Sequence, residues 1–278
     1  MKRPNSKVNL DAAILRLAGT KTQGLRFSAI RAVIADVVIG QMLPDCVIKG
    51  GSSLKLRYGE GQTRFTLDFD TASRMELDAF IREMRRSLAE GWNDFTGTMD
   101  IERPAAPRGV PVEYVMQPFR VRLNYHGKAW CSIRLEFGHN EIGDADEAEF
   151  SPLPPDILRL FSELGFPAPQ AVPLMPLKFQ IAQKLHGVSA ARSTRVRDLI
   201  DLQQIMRLSS IDLGQVNMVC KRLFAYRKCQ AWPPEVIKGD GWEEQYIAQK
   251  YDLPVLPTVD EAVTWVNDLI RRIATIRS

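Results

Sequence analysis

The sequence has few of the residues that build metal–sulfur centres or histidine-based active sites. Only four cysteines and three histidines occur among its 278 residues. No two cysteines have CxxC spacing, so we expect no zinc site and thiols that stay reduced. His126, His139 and His186 lack the partner spacing of a catalytic triad or a zincin motif, and we interpret them as structural.

The chain also lacks a long apolar run and a signal-type segment. No stretch approaches the roughly 18 apolar residues expected of a membrane helix. The first residues, MKRPNSKVNLDAAILRL, become amphipathic without a small-residue cleavage site. We therefore expect a cytoplasmic protein without a membrane partner, long enough for one large or two smaller domains.

Positive charge is concentrated in one segment. The formal net charge is +4, but residues 178–228 hold ten Lys or Arg against three Asp, a formal +7. Such a segment suits a polyanion, and the interleaved Phe224, Tyr226 and Trp232 have ring faces on which bases can stack. We expect RNA contact here. The alternative is a solvated basic face with aromatic side chains in the core.

The stretch VIKGGSSLKLRYGEGQTRFTLDFD, residues 47–70, is the most informative part of the chain. Gly50 and Gly51 have no Cβ, so a polyanion can approach the backbone closely. Ser52 and Ser53 then open a predicted helix, whose N-terminal amides and dipole favour phosphate. The pattern predicts a site for the phosphates of a nucleotide.

The end of this stretch, RFTLDFD, reads as a strand. Its alternation places Phe65, Leu67 and Phe69 on one face, and the other face carries Thr66, Asp68 and Asp70. Hard divalent ions such as Mg2+ take oxygen ligands and sit between carboxylates and substrate phosphates. The two aspartates beside the glycine turn therefore predict a metal site.

A hairpin is predicted from the runs VEYVMQPFRVRLNY and AWCSIRLEFG, joined at His126-Gly127-Lys128. Glu136 projects from the polar face of the second run and, apart from Glu113, is the only carboxylate in either run. One interpretation makes Glu136 a third metal ligand. The other pairs it with Arg134 or Arg122 across the hairpin.

The Gly-Gly-Ser turn before an Asp-x-Asp strand resembles polymerase β type nucleotidyltransferases. The wider pattern resembles the AbiEii/AbiGii toxin family, the nucleotidyltransferase toxins of bacterial abortive-infection and toxin–antitoxin systems. The matching residues of the first block are Lys49, Gly50, Gly51, Ser52, Leu54, Tyr58, Gly59, Arg64, Thr66, Asp68, Phe69 and Asp70. Those of the second block are Lys184, Arg197, Asp198, Asp201 and Leu202. The resemblance covers roughly residues 45 to 205.

The resemblance implies an α+β fold. A polymerase β type nucleotidyltransferase lobe with a small mixed sheet and N-terminal helices is expected over residues 1–150. A proline-rich boundary follows, and an all-helical lobe with the basic segment is expected over residues 151–278. The implied activity is Mg2+-dependent transfer of a nucleoside monophosphate from an NTP to an RNA acceptor. The expected acceptor is the 3′ end of tRNA, whose modification would block translation, and a cognate antitoxin protein is the expected partner.

The resemblance also assigns roles to single residues. Asp68 and Asp70 would hold Mg2+, with Glu136 as the third ligand. The residues implied to contact the nucleotide are Lys49, Gly50, Gly51, Ser52, Arg64 and Arg197. Lys184 would neutralise charge on the triphosphate, although a lysine on a helix is more often a surface residue. Asp198 would either orient Lys184 or Arg197 or act on the acceptor hydroxyl, and Arg197 with Asp201 also fits an ordinary helix pair.

Thr66 is a candidate control point, because its expected position beside Asp68 would put a phosphate next to carboxylates that must bind an anionic nucleotide. The alternative is that Thr66 is only a good strand former.

Three other functions remain open. A metal-dependent nuclease or phosphohydrolase would use clustered carboxylates but would not need the Gly-Gly-Ser turn. A non-catalytic RNA-binding module would leave the Asp-x-Asp strand without a role. A small-molecule nucleotidyltransferase would not need the concentrated positive charge. The base preference does not follow from the motifs, and residues 233–257 carry no functional interpretation.

Overall fold

The computed structural model describes residues 2–19, 23–104 and 115–276. The helices are α1 (Lys7–Ala18), α2 (Gln23–Gln41), α3 (Gly50–Tyr58), α4 (Leu77–Glu90), α5 (Pro155–Glu163), α6 (Leu177–Val188), α7 (Arg197–Leu208), α8 (Leu213–Arg227), α9 (Trp242–Lys250) and α10 (Val259–Thr275), with a 3-10 turn at Glu60–Gln62. The strands are β1 (Val47–Lys49), β2 (Asp68–Ser73), β3 (Phe95–Ile101), β4 (Gln117–Tyr125), β5 (Lys128–His139), β6 (Glu149–Ser151) and β7 (Val172–Leu174).

The strands form one mixed sheet in the order β3-β4-β5-β2-β1-β7-β6. The pairs β2–β5 and β1–β7 are parallel, and the other neighbours are antiparallel. The order puts β2 in the middle of the sheet, between β1 and β5. The mixed sheet and its helices confirm the predicted α+β class.

Alternation along the strands gives the sheet one apolar and one polar face. On β4, Phe119 and Val121 are buried while Arg122 is exposed. Helix α4 covers the apolar face with a stripe at helical spacing that includes Phe80, whose ring centroid lies 4.4 Å from that of Phe137 on β5. Burying these side chains is the main driving force for joining the sheet to its helices.

The predicted hairpin is present as β4 and β5, joined at His126 and Gly127, which both have positive φ. Most of the proline-rich loop and the expected start of the first strand, including Glu113, lie outside the described residues.

The strand expected over RFTLDFD begins only at Asp68. Phe65 and Leu67 are 49% and 61% exposed, so they do not share the buried face of Phe69. The carbonyl oxygen of Thr66 accepts a hydrogen bond from Lys55 Nζ at 3.1 Å instead of joining the sheet. The prediction that Thr66 shares a strand face with the two aspartates is therefore wrong.

The chain divides into two compact units. The first comprises the described residues of Met1–Glu60, Phe65–Asn140 and Ala145–Leu174. It continues past residue 150, the boundary expected from the sequence, because β6 and β7 complete the sheet through the pairing of β7 with β1.

The second unit comprises Gly61–Arg64, Glu141–Asp144 and the described residues of Met175–Ser278. It contains α6 to α10. The last of these, α10, begins with a capping box formed by Thr258 and Glu261, and it buries the apolar stripe Val266, Leu269, Ile270 and Ile273. Among the described residues, no helix is both long and apolar enough to span a membrane.

Candidate active site

In the first unit, three carboxylates lie on two adjacent strands. Asp68 and Asp70 flank the buried Phe69 on β2, so both point to the polar face of the sheet. In the parallel register of β2 and β5, Asp70 pairs with Glu136 and Asp68 pairs with Arg134. The fold therefore brings Glu136 beside the Asp-x-Asp motif from a distant part of the chain.

The acids influence one another electrostatically. Burial raises the pKa of Glu136, the negative charge of Asp70 raises it further, and the charges of Arg134 and Lys49 oppose the rise. Arg134 also forms an ion pair with Glu136 at 2.9 Å, which is the alternative pairing expected from the sequence.

The chemistry of these donors fits a hard divalent cation, because carboxylate oxygens are its preferred ligands and like charges gathered on one face favour a counterion. Within the described ranges, however, no three His, Cys, Asp or Glu side chains are arranged tightly enough to hold a metal as they stand. Glu136 is bound to Arg134 instead.

The glycine turn is adapted to Asp70. Lys49 lies opposite Asp70 in the antiparallel backbone register of β1 and β2. Gly50 follows at the start of α3 with a φ of +65°. A Cβ on Gly50 would lie 2.3 Å from the Asp70 Oδ2 atom. Only glycine can therefore bring the backbone at the start of α3 so close to this carboxylate.

Ser52 contacts the protein itself. Its hydroxyl is buried, 2.8 Å from the carbonyl oxygen of Asp68 and 3.2 Å from the carboxylate of Asp36, and donates toward both. The side chain thus fastens α3 to β2 and α2. The backbone amides in the first turn of α3 have no intrahelical acceptor, as in any α-helix, and the structure shows no side-chain cap at this helix end.

Two supporting residues, Asp36 and Lys55, were missed in the sequence. Their side chains form an ion pair at 3.0 Å, and both are buried. Burial raises the pKa of Asp36, and the charge of Lys55 opposes that rise. The available signal was Asp36 itself, a single acid inside the apolar run VIADVVIG, since a buried acid needs a partner. Removing one member of a buried pair typically costs about 3–5 kcal/mol.

In the second unit, Lys184 lies in a buried ionic network. Its Nζ is 2.6 Å from Asp201 Oδ2 and 3.3 Å from Asp198 Oδ1. Arg64 donates to both carboxylate oxygens of Asp201, at 3.0 and 3.1 Å. Arg195 Nε donates to Asp198 at 2.6 Å. The structure therefore brings four of the predicted or matching residues together in this unit.

The cations of this network keep the aspartates ionised. Burial alone raises the pKa of Asp201, but the charges of Arg64 and Lys184 outweigh burial and lower it to about 2. The pKa of Asp198 is also lowered, because Arg195 and Lys184 outweigh burial. Arg197, the basic residue of the matching pattern, is exposed.

Part of the basic segment is engaged in internal contacts. Arg227 pairs with Glu141 at 2.7 Å, and Arg222 donates to the carbonyl oxygen of Ile142 at 2.6 Å. Phe224 is buried and packs edge-on against Trp232, with ring centroids 5.2 Å apart. The prediction that Phe224 stacks on bases is wrong, because its ring belongs to the core.

A match to the model of a known sequence family shows which family the chain belongs to. The family model of the nucleotidyl transferase AbiEii toxin, of type IV toxin–antitoxin systems, matches residues 33–265, which is most of the chain. The chain belongs to the AbiEii family. The resemblance expected from the two sequence blocks is confirmed.

The fold is similar to that of a solved nucleotidyltransferase toxin. MenT4, a nucleotidyltransferase toxin from Mycobacterium tuberculosis H37Rv, matches with a TM-score of 0.57 and 17% identity, over 96% of this chain and 90% of that chain. JHP933 from Helicobacter pylori matches with a TM-score of 0.44 and 14% identity, over 87% of this chain and 89% of that chain. At such identities the likeness to MenT4 shows the fold alone. No curated protein matches the chain.

As a member of the AbiEii family, the chain is a nucleotidyltransferase toxin of a toxin–antitoxin system. A nucleotide substrate and a cognate antitoxin follow from this membership. The AbiEii match includes both the carboxylate face of the first unit and the lysine network of the second.

The contact between Gly50 and Asp70 gives a first prediction. We expect Gly50→Ala to lose nucleotidyl transfer, because the new Cβ displaces the Asp70 carboxylate, and to lose stability through left-handed strain of about 1–3 kcal/mol. Transfer rates and urea denaturation measure the two effects.

Two other glycines separate the causes. Gly127 also has a positive φ, but its Cβ would meet nothing within 4 Å, so Gly127→Ala should lose stability and keep activity. Gly61 has neither feature, so Gly61→Ala should change little. Equal activity in Gly50→Ala and Gly127→Ala would contradict the role of the close approach.

Glu60 is a partly buried acid of the first unit. Its Oε2 atom has no hydrogen-bond partner among the described residues. Burial raises the pKa of Glu60 to about 7, with Lys55 opposing the rise and Asp36 and Asp156 adding to it. The protonated form is therefore favoured in the folded protein, whereas the unfolded chain ionises near pH 4.5.

The second prediction is a pH dependence of stability. Between pH 4.5 and about 7 the unfolded chain loses the Glu60 proton first, so the contribution of Glu60 to stability falls as the pH rises through this window. Glu60→Gln should remove this fall and make the variant more stable than the parent at pH 8, by on the order of 1–3 kcal/mol. Urea denaturation at pH 5 and pH 8 measures it. The exposed Glu244→Gln is the control, and the same pH profile for Glu60→Gln and the parent would contradict the prediction.

Proposed function

We propose that this AbiEii toxin transfers a nucleoside monophosphate from an NTP to the 3′ end of an RNA, with tRNA as the expected acceptor, and that the modification blocks translation. The observation that carries the proposal is the register of β2 and β5, which aligns Asp68, Asp70 and Glu136 beside the Gly-Gly start of α3. Acids and phosphate-binding amides are needed together for transfer from an NTP, whereas hydrolysis of RNA does not call for both.

The residues of the first unit have distinct parts in this proposal. The backbone amides of Gly50 and Gly51 bind the outer phosphates. Asp68 and Asp70 would hold Mg2+, with Glu136 as a third ligand in place of its ion pair with Arg134. When bound, the metal neutralises charge that develops on the phosphates during in-line displacement. A bond forms between the acceptor oxygen and the α-phosphorus, and the bond from this phosphorus to pyrophosphate breaks. The proton of the acceptor hydroxyl passes to water or to a general base.

Lys184 is proposed to supply positive charge to the triphosphate, with Asp198 and Asp201 as positioning residues. The two carboxylates contact the ammonium of the lysine at 3.3 and 2.6 Å and fix its position. Of the two roles open to Asp198, orientation of Lys184 has the support of a direct contact, since Asp198 is fully buried between Lys184 and Arg195. A nucleotide contact is proposed for the exposed Arg197, and for Arg64 such a contact would compete with Asp201.

A control function is proposed for Thr66 although it does not share a strand face with the two aspartates. Thr66 precedes Asp68 by two residues, and its carbonyl oxygen is held by the buried Lys55. A phosphate here would add close to two negative charges at the entry to β2. Transfer of label from an NTP to RNA tests this proposal: Thr66→Glu should lose activity, and Thr66→Val should keep it.

The proposed function is tested by incubating the protein with total tRNA, Mg2+ and each α-labelled NTP in turn. We expect label on RNA with at least one NTP, and at least a ~100-fold loss in Asp70→Asn, since metal stabilisation of the transferring group is worth several kcal/mol. Asp100→Asn is the matched control, an exposed aspartate on β3 of the same sheet. Phosphate release without label on RNA would instead indicate a hydrolase.

Lys184 requires a test that separates charge supply from folding. Lys184→Met should lower the transfer rate by on the order of 100-fold or more in the folded fraction. Lys178→Met, on the same helix but beside the Phe179 ring, should lower it little. Both rates are read from the labelled-RNA assay, and urea denaturation gives the folded fraction.

Arg195→Ala breaks the same network from its partly exposed end and serves as the structural control. It should lose stability more than activity. A Lys184→Met protein that is destabilised but transfers at the parental rate when folded would show that Lys184 only holds the network together.

A further inference from the structure

A cavity of about 500 Å3 opens within the second unit, and none of its lining residues belongs to the lysine network. It is bounded by α7, by α10 and by the segment 254–257 that precedes α10. Its volume falls in the ~300–1,000 Å3 range of small-ligand sites. The segment 254–257 belongs to the stretch for which the sequence offered no function.

The cavity walls are apolar and partly aromatic. Trp265 of α10 is the one aromatic residue in the lining, and its side chain is partly exposed. Two prolines, Pro254 and Pro257, lie in the wall from the preceding segment. The other apolar lining residues are Met206, Val255, Leu256 and Leu269. A flat, weakly polar ligand such as a nucleobase suits such walls.

Gln203 holds the wall in place. Its Nε2 donates to the carbonyl oxygen of Leu199 at 3.0 Å and to the Tyr246 hydroxyl at 3.1 Å. Its Oε1 accepts from the Leu256 amide at 2.8 Å. Since the side-chain amide is engaged at both ends, the segment is fixed to α7 before any ligand arrives.

Two arginines, Arg207 and Arg272, give the cavity its charge. Arg207 donates to Gln62 and Gln204 side-chain oxygens at 2.6 Å, and these neutral partners orient its guanidinium without cancelling its charge. Arg272 is exposed on the last turn of α10. Across the described part of the chain, neither guanidinium forms an ion pair, and no acid lines the cavity.

We propose that this cavity binds a nucleotide unit, with the base against Trp265 and the phosphate on Arg207 and Arg272. Guanidinium groups bind phosphate through charge-assisted hydrogen bonds, and nucleobases stack on aromatic rings. The unit is either a free mononucleotide or the end of a single-stranded RNA. In the second case the inference extends the proposed function by adding an anchoring site for RNA.

An acidic peptide fits the cavity less well. Pro254 and Pro257 have no N–H, and the Leu256 amide already donates to Gln203. The segment therefore offers few backbone donors to an added peptide strand, whereas the two guanidiniums and the ring match a phosphate and a base.

Binding to the full-length protein in EDTA tests the proposal by calorimetry. The probes are AMP, CMP, GMP and UMP, the corresponding nucleosides, inorganic phosphate and single-stranded homotrinucleotides. We expect at least one nucleotide to bind more tightly than its nucleoside or phosphate alone. The double variant Arg207→Ala, Arg272→Ala should weaken this binding at least ~10-fold, since it removes both charged hydrogen-bond donors to the phosphate.

The controls isolate the cavity. Arg271→Ala removes a neighbouring arginine that pairs with Asp268, and it should leave binding unchanged. Trp265→Leu should weaken nucleotides but not inorganic phosphate. Nucleotide binding should persist in Asp70→Asn. Binding in the cavity and nucleotidyl transfer are therefore tested independently, and a negative result for one leaves the other proposal standing. Thermal melting of each variant confirms that it is folded.

The outcomes distinguish the sources of the nucleotide. Tighter binding of trinucleotides than of mononucleotides assigns the cavity to a strand end, and equal binding assigns it to a free nucleotide. The proposal is overturned if no nucleotide binds, if binding ignores both the arginine pair and Trp265, or if acidic peptides bind in place of nucleotides.

Discussion

A buried ammonium group is the constraint on which the carboxylate face of the first unit depends. Lys55 of α3 reaches Asp36 of α2 at 3.0 Å and the Thr66 carbonyl oxygen at 3.1 Å. It therefore connects two helices and the segment that leads into β2. Because an unpaired charge at this depth would be costly, the three segments can hardly separate without unfolding locally. Ser52 adds a second connection, through the carbonyl oxygen of Asp68.

Among the described residues, each unit has one such buried lysine, but the electrostatic balance differs. Asp36 has the single cation Lys55 beside it, and burial leaves its pKa raised. Asp198 and Asp201 share Lys184, and each has an arginine of its own, so their pKa values are lowered. The network of the second unit thus has three cations for two anions. Excess positive charge of this kind suits a protein whose substrate is a nucleotide.

The concentrated positive charge of the sequence has several uses in the structure. Lys184, Arg195 and Arg227 neutralise buried or half-buried acids within the second unit. Arg207 is held by neutral glutamines and keeps its charge for the cavity beside α10. A formal charge count therefore overstates the positive charge available at the surface, since ion pairs inside the protein are included in the count.

Local patterns in the sequence determined the motif residues, the hairpin and the polar face of β5 that carries Glu136, because side-chain direction alternates with a period that can be counted along the chain. They did not determine that β2 begins at Asp68, that the Ser52 hydroxyl turns inward, or that Arg195 rather than Arg197 pairs with Asp198. Those outcomes depend on partners from other segments, such as Lys55 for Thr66 and Asp36 for Ser52. Only the tertiary structure decides them, since a buried polar group takes whichever partner the packing of distant segments brings within hydrogen-bond distance.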